Sequence, residues 1–230
     1  MAKVGASTEA AGRTPRGLAG PLAEISLVVL CVLVAEWAVL PLFGRNYLAG
    51  LVPVCAAFAF MLLSHRRRRE SAREVGFRLD NFGRALTLLL PPMTAAALFL
   101  VSVGWLSGSL RLGGVRPGRA TASTYFSLYV WGLMQQYPLQ CFINRRAQML
   151  WGRGPRSILF VAAVFALLHL PNPWLTLATF CGGLLWAWAY QRAPNLWALA
   201  LSHSLMTVVL VTTVPYSSLG GMRVGYGYFL

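Results

Sequence analysis

FVAAVFALLHLPNPWLTLATFCGGLLWAWAYQRAPNLWALALSH, residues 160–203, decides the fold. Its apolar runs belong to three predicted membrane helices, over residues 158–170, 174–190 and 196–214. Deep inside them stand two histidines, His169 and His203. A similar arrangement lies upstream in YFSLYVWGLMQQYPLQCFI, residues 125–143, which carries Gln135, Gln136 and Gln140. Polar groups inside a bilayer are costly, and they usually have a function or a partner.

Composition agrees with a chain built for lipid. Of 230 residues, 57% are hydrophobic and 11% charged, and mean hydropathy is +0.60. Further spans are predicted over residues 21–43, 47–64, 85–106 (kinked by Pro91-Pro92) and 124–143. The fold class is therefore an all-α polytopic membrane helix bundle of about seven transmembrane helices, within a range of six to eight. Residues 1–20 read as a flexible basic N-terminal tail, residues 21–214 as the bundle and residues 215–230 as a short C-terminal tail. A Gly-rich loop is expected over residues 107–119, and Gly104 and Gly108, at the end of the preceding span, offer a weak signal of close helix packing.

The net charge of +14 comes from short basic clusters between apolar runs, of which HRRRR at 65–69 is the densest. Topology explains such clusters without nucleic acid, for which no recognition motif is present. With the N-terminus inside, fifteen of the twenty Lys and Arg residues fall on the inner side. That bias predicts a cytoplasmic N-terminus. His65 reads as part of this surface anchor, and the four cysteines as small core hydrophobes. Trp186, Trp188 and Trp197 read as lipid-facing or packing residues.

Carboxylates are scarce. Glu9, Glu24, Glu36, Glu70, Glu74 and Asp80 are all of them, so the chain beyond Asn81 has none. Any carboxylate base for the histidines must come from the front half, where Glu36 is the candidate. Gln136 and Gln140 are four residues apart and share a face on a regular helix, with Gln135 one step round. By axial rise, these glutamines, His169 and His203 all fall at hydrocarbon depth and are expected to converge in one polar pocket. Interhelical hydrogen bonding is the bland alternative. Two imidazoles suit zinc in part, but a zinc site usually takes three protein ligands. The cofactor expectation is therefore none, with zinc on His169 and His203 left open.

These residues resemble a known family. Phe165 to His169 fits a Phe-x-x-x-His motif, and the order of glutamine pair, first histidine and last histidine is similar to that of the CPBP intramembrane proteases, the Abi or CAAX prenyl protease 2-like family. The resemblance covers residues 70–214, with a core over 120–214. It implies an intramembrane endopeptidase acting on a membrane-embedded or lipidated protein in a bacterial inner membrane, with membrane lipid as its surroundings. It implies catalytic roles for Gln135, Gln136, His169 and His203, and supporting roles for Gln140, Phe165 and Thr207. The family's motif is Glu-Glu-x-x-x-Arg, where this chain has Gln135, Gln136 and Gln140. Thr207 stands in place of the final Asn or Asp. A catalytically silent pseudoprotease that binds apolar peptides or lipidated tails is the alternative.

Overall fold

The structure is a computed structural model, and it describes residues 19–44, 46–111 and 122–230. Most of the N-terminal tail at 1–20 and of the Gly-rich loop at 107–119 lies outside the described residues. Those residues form helices and no strand. The first rod comprises α1 (Ala19–Val34), a π-helical turn (Ala35–Val39) and a final turn (Leu40–Phe43). Then come α2 (Tyr47–Arg67), a short α3 (Ala72–Val75) and α4 (Phe82–Leu106). A longer rod joins α5 (Ala122–Gln136), a π-helical segment (Tyr137–Asn144) and α6 (Arg145–Trp151). The chain closes with α7 (Pro155–Leu167), α8 (Pro173–Arg192) and α9 (Leu196–Thr213). Each of the seven apolar runs corresponds to one of these rods.

Four helical stretches are long and apolar enough to cross a membrane: Gly20–Phe43, Leu48–Arg67, Phe82–Leu106 and Leu196–Thr213. The 25 residues of α4 span about 38 Å, and the helix continues unbroken through Pro91 and Pro92. By contrast, the 13 residues of α7 reach only about 20 Å, short of a hydrocarbon core of about 30 Å. The loop that carries His169 follows directly on this short helix.

Burial runs opposite to that of a soluble protein. Leu42, Leu48, Trp105 and Leu106 are largely exposed, whereas Gln136, Gln140, Asn144, Arg146, Asn172 and Asn195 are fully buried. A lipid surround accepts the first set without cost, and the second must find partners inside the protein. Two cysteines correct the expectation of core hydrophobes, since Cys55 and Cys181 are exposed. A thiol on a lipid-facing surface costs little, because the surrounding medium is itself apolar.

The main helix pairs are α7 with α8, α9 with α5 and α4, and α1 with α2. Small residues set their spacing. A Cβ on Gly132 of α5 would lie 2.8 Å from the Ala200 carbonyl oxygen of α9. On Gly104 of α4 it would lie 2.9 Å from the Thr213 carbonyl oxygen. Gly183 of α8 similarly faces the Ala162 backbone of α7 at 2.9 Å. Gly108, by contrast, meets nothing within 4 Å.

One end of the bundle is tied by ions. Arg146 of α6, at 0% exposure, donates from Nε to Glu24 Oε2 (2.5 Å), from Nη1 to Glu70 Oε1 (2.9 Å) and from Nη2 to Ser64 Oγ (3.0 Å). Arg145 also bonds Glu70, and Arg68 bonds Glu24. His65 is buried here, with Nδ1 2.6 Å from Glu70 Oε2, which corrects its reading as a surface anchor. Glu70 lies just after α2, folded back to where it collects these donors. Burial alone would raise the Glu70 carboxyl, but the hydrogen bonds from His65 and Arg146 and the charges of Arg146 and Arg145 hold it well below the usual carboxylate value of 4.5.

Two tests follow. Gly132→Val drives a side chain into α9 and lowers the thermal midpoint in detergent by about 2–10 °C, while Gly83→Ala, which meets open space, leaves it unchanged. Because the folded Glu70 carboxyl keeps its charge to lower pH than a free one, its stabilisation is complete above pH 4.5 and fades as pH falls below it. Glu70→Gln therefore lowers stability at pH 7 by about 3–5 kcal/mol and flattens the acid limb of the denaturation curve.

Candidate functional site

Pro138 sits at the start of the π-helical segment Tyr137–Asn144. A proline there has no N–H to return to Met134 and its ring crowds that carbonyl, so the helix widens. Widening moves residues that are four apart off a shared face, because the π ladder bonds residues five apart. Gln136, the last residue of α5, points to α9: its Nε2 lies 3.0 Å from His203 Nδ1. The close approach at Gly132, one turn earlier, makes this reach feasible.

Gln140 goes elsewhere, which corrects the expectation that all five polar groups meet. Its Oε1 accepts from Asn144 Nδ2 at 2.7 Å. Asn144 Oδ1 in turn accepts from Gln148 and Gln191, both at 3.0 Å. Gln191 continues to Ser157 Oγ at 2.9 Å and accepts from the Gly154 N–H. This is a chain of amides joining α6, α7 and α8 and the end of the π segment, separate from the histidines. Gln135 is half-buried with its Oε1 unpartnered, and Gln136 Oε1 is likewise buried without a partner.

The two histidines meet around one ring. Phe165 lies edge-on to His169 at 4.8 Å and to His203 at 6.0 Å between centroids. Trp186 of α8 stacks on His203 at 4.6 Å and 14°, and its Nε1 donates to Ser202 Oγ at 2.8 Å. Trp186 is therefore a wall of the site, a role its place in an apolar run did not reveal. Thr207 Oγ1 donates to the His203 carbonyl of its own helix (3.0 Å) and makes no recorded bond to either imidazole.

Hydrogen-bond chemistry sets the two rings differently. His169 Nδ1 is 2.8 Å from the Phe165 carbonyl, which only accepts, so Nδ1 carries the proton and Nε2 a lone pair. His203 Nδ1 faces the amide nitrogen of Gln136, which only donates, so a neutral His203 carries its proton on Nε2. The pair thus presents one acceptor and one donor. A protonated Nε2 does not ligate a metal, and among the described residues no group of three His, Cys, Asp or Glu side chains exists. The residues present do not fit zinc.

The open side of the loop after α7 is covered by the C-terminal segment. Asn172 Nδ2 donates to the carbonyls of Leu219 (2.6 Å) and Arg223 (3.1 Å), and the Gly225 N–H donates to the Leu170 carbonyl (2.8 Å). Asn172 also caps α8 through the Leu175 N–H. On its other side Gly225 rests on Glu36, where a Cβ would lie 2.7 Å from the Glu36 carbonyl oxygen. Glu36 Oε2 is buried and unpartnered, and among the described residues Glu36 forms no ion pair. Sequence reasoning missed Asn172, Asn144 and Gln191; each is a lone amide beside a helix end, and each reads locally as a cap or surface residue.

Comparison with curated proteins and with solved structures returned no match. The family model described as type II CAAX prenyl endopeptidase Rce1-like matches residues 23–209, from α1 to the last turns of α9. That span includes the ion cluster, both histidines and the glutamines, and the chain belongs to the Rce1-like family of type II CAAX prenyl endopeptidases.

Proposed function

We propose that this chain is an intramembrane endopeptidase of the CAAX prenyl protease 2-like kind, cleaving a membrane-associated or lipidated protein with water positioned by His169, His203 and Gln136. The opposed settings of the two imidazoles carry this reading. The His169 Nε2 lone pair accepts a proton from water as the water oxygen bonds to the scissile carbonyl carbon. The His203 Nε2–H donates to the carbonyl oxygen as it gains charge, and Gln136 holds that ring in its donor form. The carbon–nitrogen bond then breaks, and the proton on His169 passes to the leaving amine. Gln135, the residue before Gln136, has a buried, unpartnered carbonyl oxygen that would accept from the peptide's N–H groups. Glu36, the carboxylate nearest the C-terminal cover, is the reserve base. An N-terminus on the cytoplasmic side of a bacterial inner membrane accords with the basic clustering.

A second reading has its own support. Among the described residues no carboxylate bonds either His169 or His203, and a glutamine occupies the Nδ1 position where a carboxylate would impose the opposite tautomer. A silent binder of apolar peptides or lipidated tails would look the same.

Purified protein in liposomes, given a panel of prenylated CAAX peptides, separates the two. Cleavage that falls by roughly 100-fold or more in His169→Ala and His203→Ala supports the endopeptidase. Cleavage that arises only in Gln135→Glu, Gln136→Glu or the double variant replaces it with the silent binder. Nitrogen-15 NMR of the imidazoles gives an independent check: His203 is protonated at Nε2 in the parent and at Nδ1 in Gln136→Glu. A parent His203 protonated at Nδ1 removes the basis for the donor role.

A further inference from the structure

The end of the bundle that holds the ion cluster also carries a ring of unpaired cations. Hydrogen bonds knit this end together: Leu196 N–H to the Gly76 carbonyl, Tyr190 Oη to the Val75 carbonyl (2.8 Å), Asn81 Nδ2 to the Pro194 carbonyl (3.1 Å) and Asn195 Nδ2 to the Arg78 carbonyl (2.6 Å). Its described carboxylates are all engaged. Glu24 and Glu70 serve the buried cluster, Asp80 pairs with Arg73 and Arg78, and Glu74 closes the capping box of α3 with Ser71. Arg66, Arg67, Arg84, Arg153, Arg156 and Arg192 remain exposed, and none meets a carboxylate among the described residues. They project from four separate places: the end of α2, the start of α4, the turn between α6 and α7 together with the first turn of α7, and the end of α8.

We infer that this ring binds anionic phospholipid headgroups, so that the surrounding lipid, and not the protein, completes the charge balance of this end. Two observations favour lipid over an acidic protein. First, exposed apolar residues flank the arginines: Leu63 before Arg66, Trp151 before Arg153 and Leu159 after Arg156 are each 42–52% exposed. Cation and acyl-facing surface thus alternate around the rim, as the boundary between headgroup and hydrocarbon requires. Second, the Arg192 guanidinium lies 4.4 Å above the Trp188 ring, its stem laid along an aromatic while the head stays exposed. Lys3 is the one lysine among the 20 basic residues, so every cation of the rim is an arginine, whose planar fork matches two phosphate oxygens at once. The opposite end shows only Arg111 and Arg223 among the described residues.

The role in topology alone would end once the chain is inserted, whereas headgroup binding persists in the folded protein. The test uses the full chain in nanodiscs of phosphatidylcholine alone or with a third phosphatidylglycerol. At low salt, phosphatidylglycerol raises the thermal midpoint by at least about 4 °C, and the rise vanishes near 0.5 M salt as charges are screened over a few ångströms. In a variant with Arg66, Arg67, Arg153 and Arg156 all changed to Gln, the rise is absent at every salt concentration. Brominated phosphatidylglycerol, compared with brominated phosphatidylcholine at equal content, quenches the parent's tryptophan fluorescence more strongly, which needs no variant to fold. Equal midpoints and equal quenching in the two lipids overturn the proposal; an acidic protein partner predicts that outcome. The readout is independent of peptide cleavage, so it stands or falls apart from the endopeptidase reading.

Discussion

A guanidinium with no access to solvent fixes how the bundle closes. Arg146 collects Glu24 from the first rod, Ser64 from α2 and Glu70 from the connection beyond it, while its flat face covers the Phe142 ring at 4.6 Å. Such a cluster adds little to stability compared with an apolar core of the same volume, because its ions gave up strong hydration. What it supplies is register. Only one sliding position of three rods satisfies every donor at once, and any other leaves a bare charge in a medium that cannot solvate it. The π segment leading into α6 is anchored by that registration, and so is the place where Gln136 leaves it.

The site is built on the same logic with neutral groups. Gly132 and Ala200 bring α5 and α9 into backbone contact, and this closeness lets a short amide side chain reach His203. Exchange of a carboxylate for an amide at that position changes more than charge. It reverses which ring nitrogen holds the proton, so that His203 Nε2 is a donor where a carboxylate at Nδ1 would leave it an acceptor.

The seven helical rods were legible in the sequence, because lipid forces apolar runs of this length to satisfy their backbone internally. The partnership of Gln136 with His203, 67 residues apart, was legible only as two polar groups at similar depth. Gln140 was misplaced because a regular helix was assumed across Pro138, whose missing N–H shifts the face. His65 reads in the sequence as part of a surface anchor and Arg146 as one inner-side cation among fifteen, since a basic residue next to an apolar run gives no local sign of a carboxylate folded back from 5 or 76 residues away. Trp186 looked like one aromatic among many; stacking on an imidazole is a tertiary fact that no single helix records.

The C-terminal cover makes the histidine loop answer to a distant part of the sequence. The loop that carries His169 has its Leu170 carbonyl and Asn172 amide satisfied by backbone groups of residues 219–225. These bonds stand in for the helical ladder that the loop after α7 lacks. A change that displaces the main chain at 219–225 is therefore felt at the loop that carries His169, although that segment adds no side chain to these bonds.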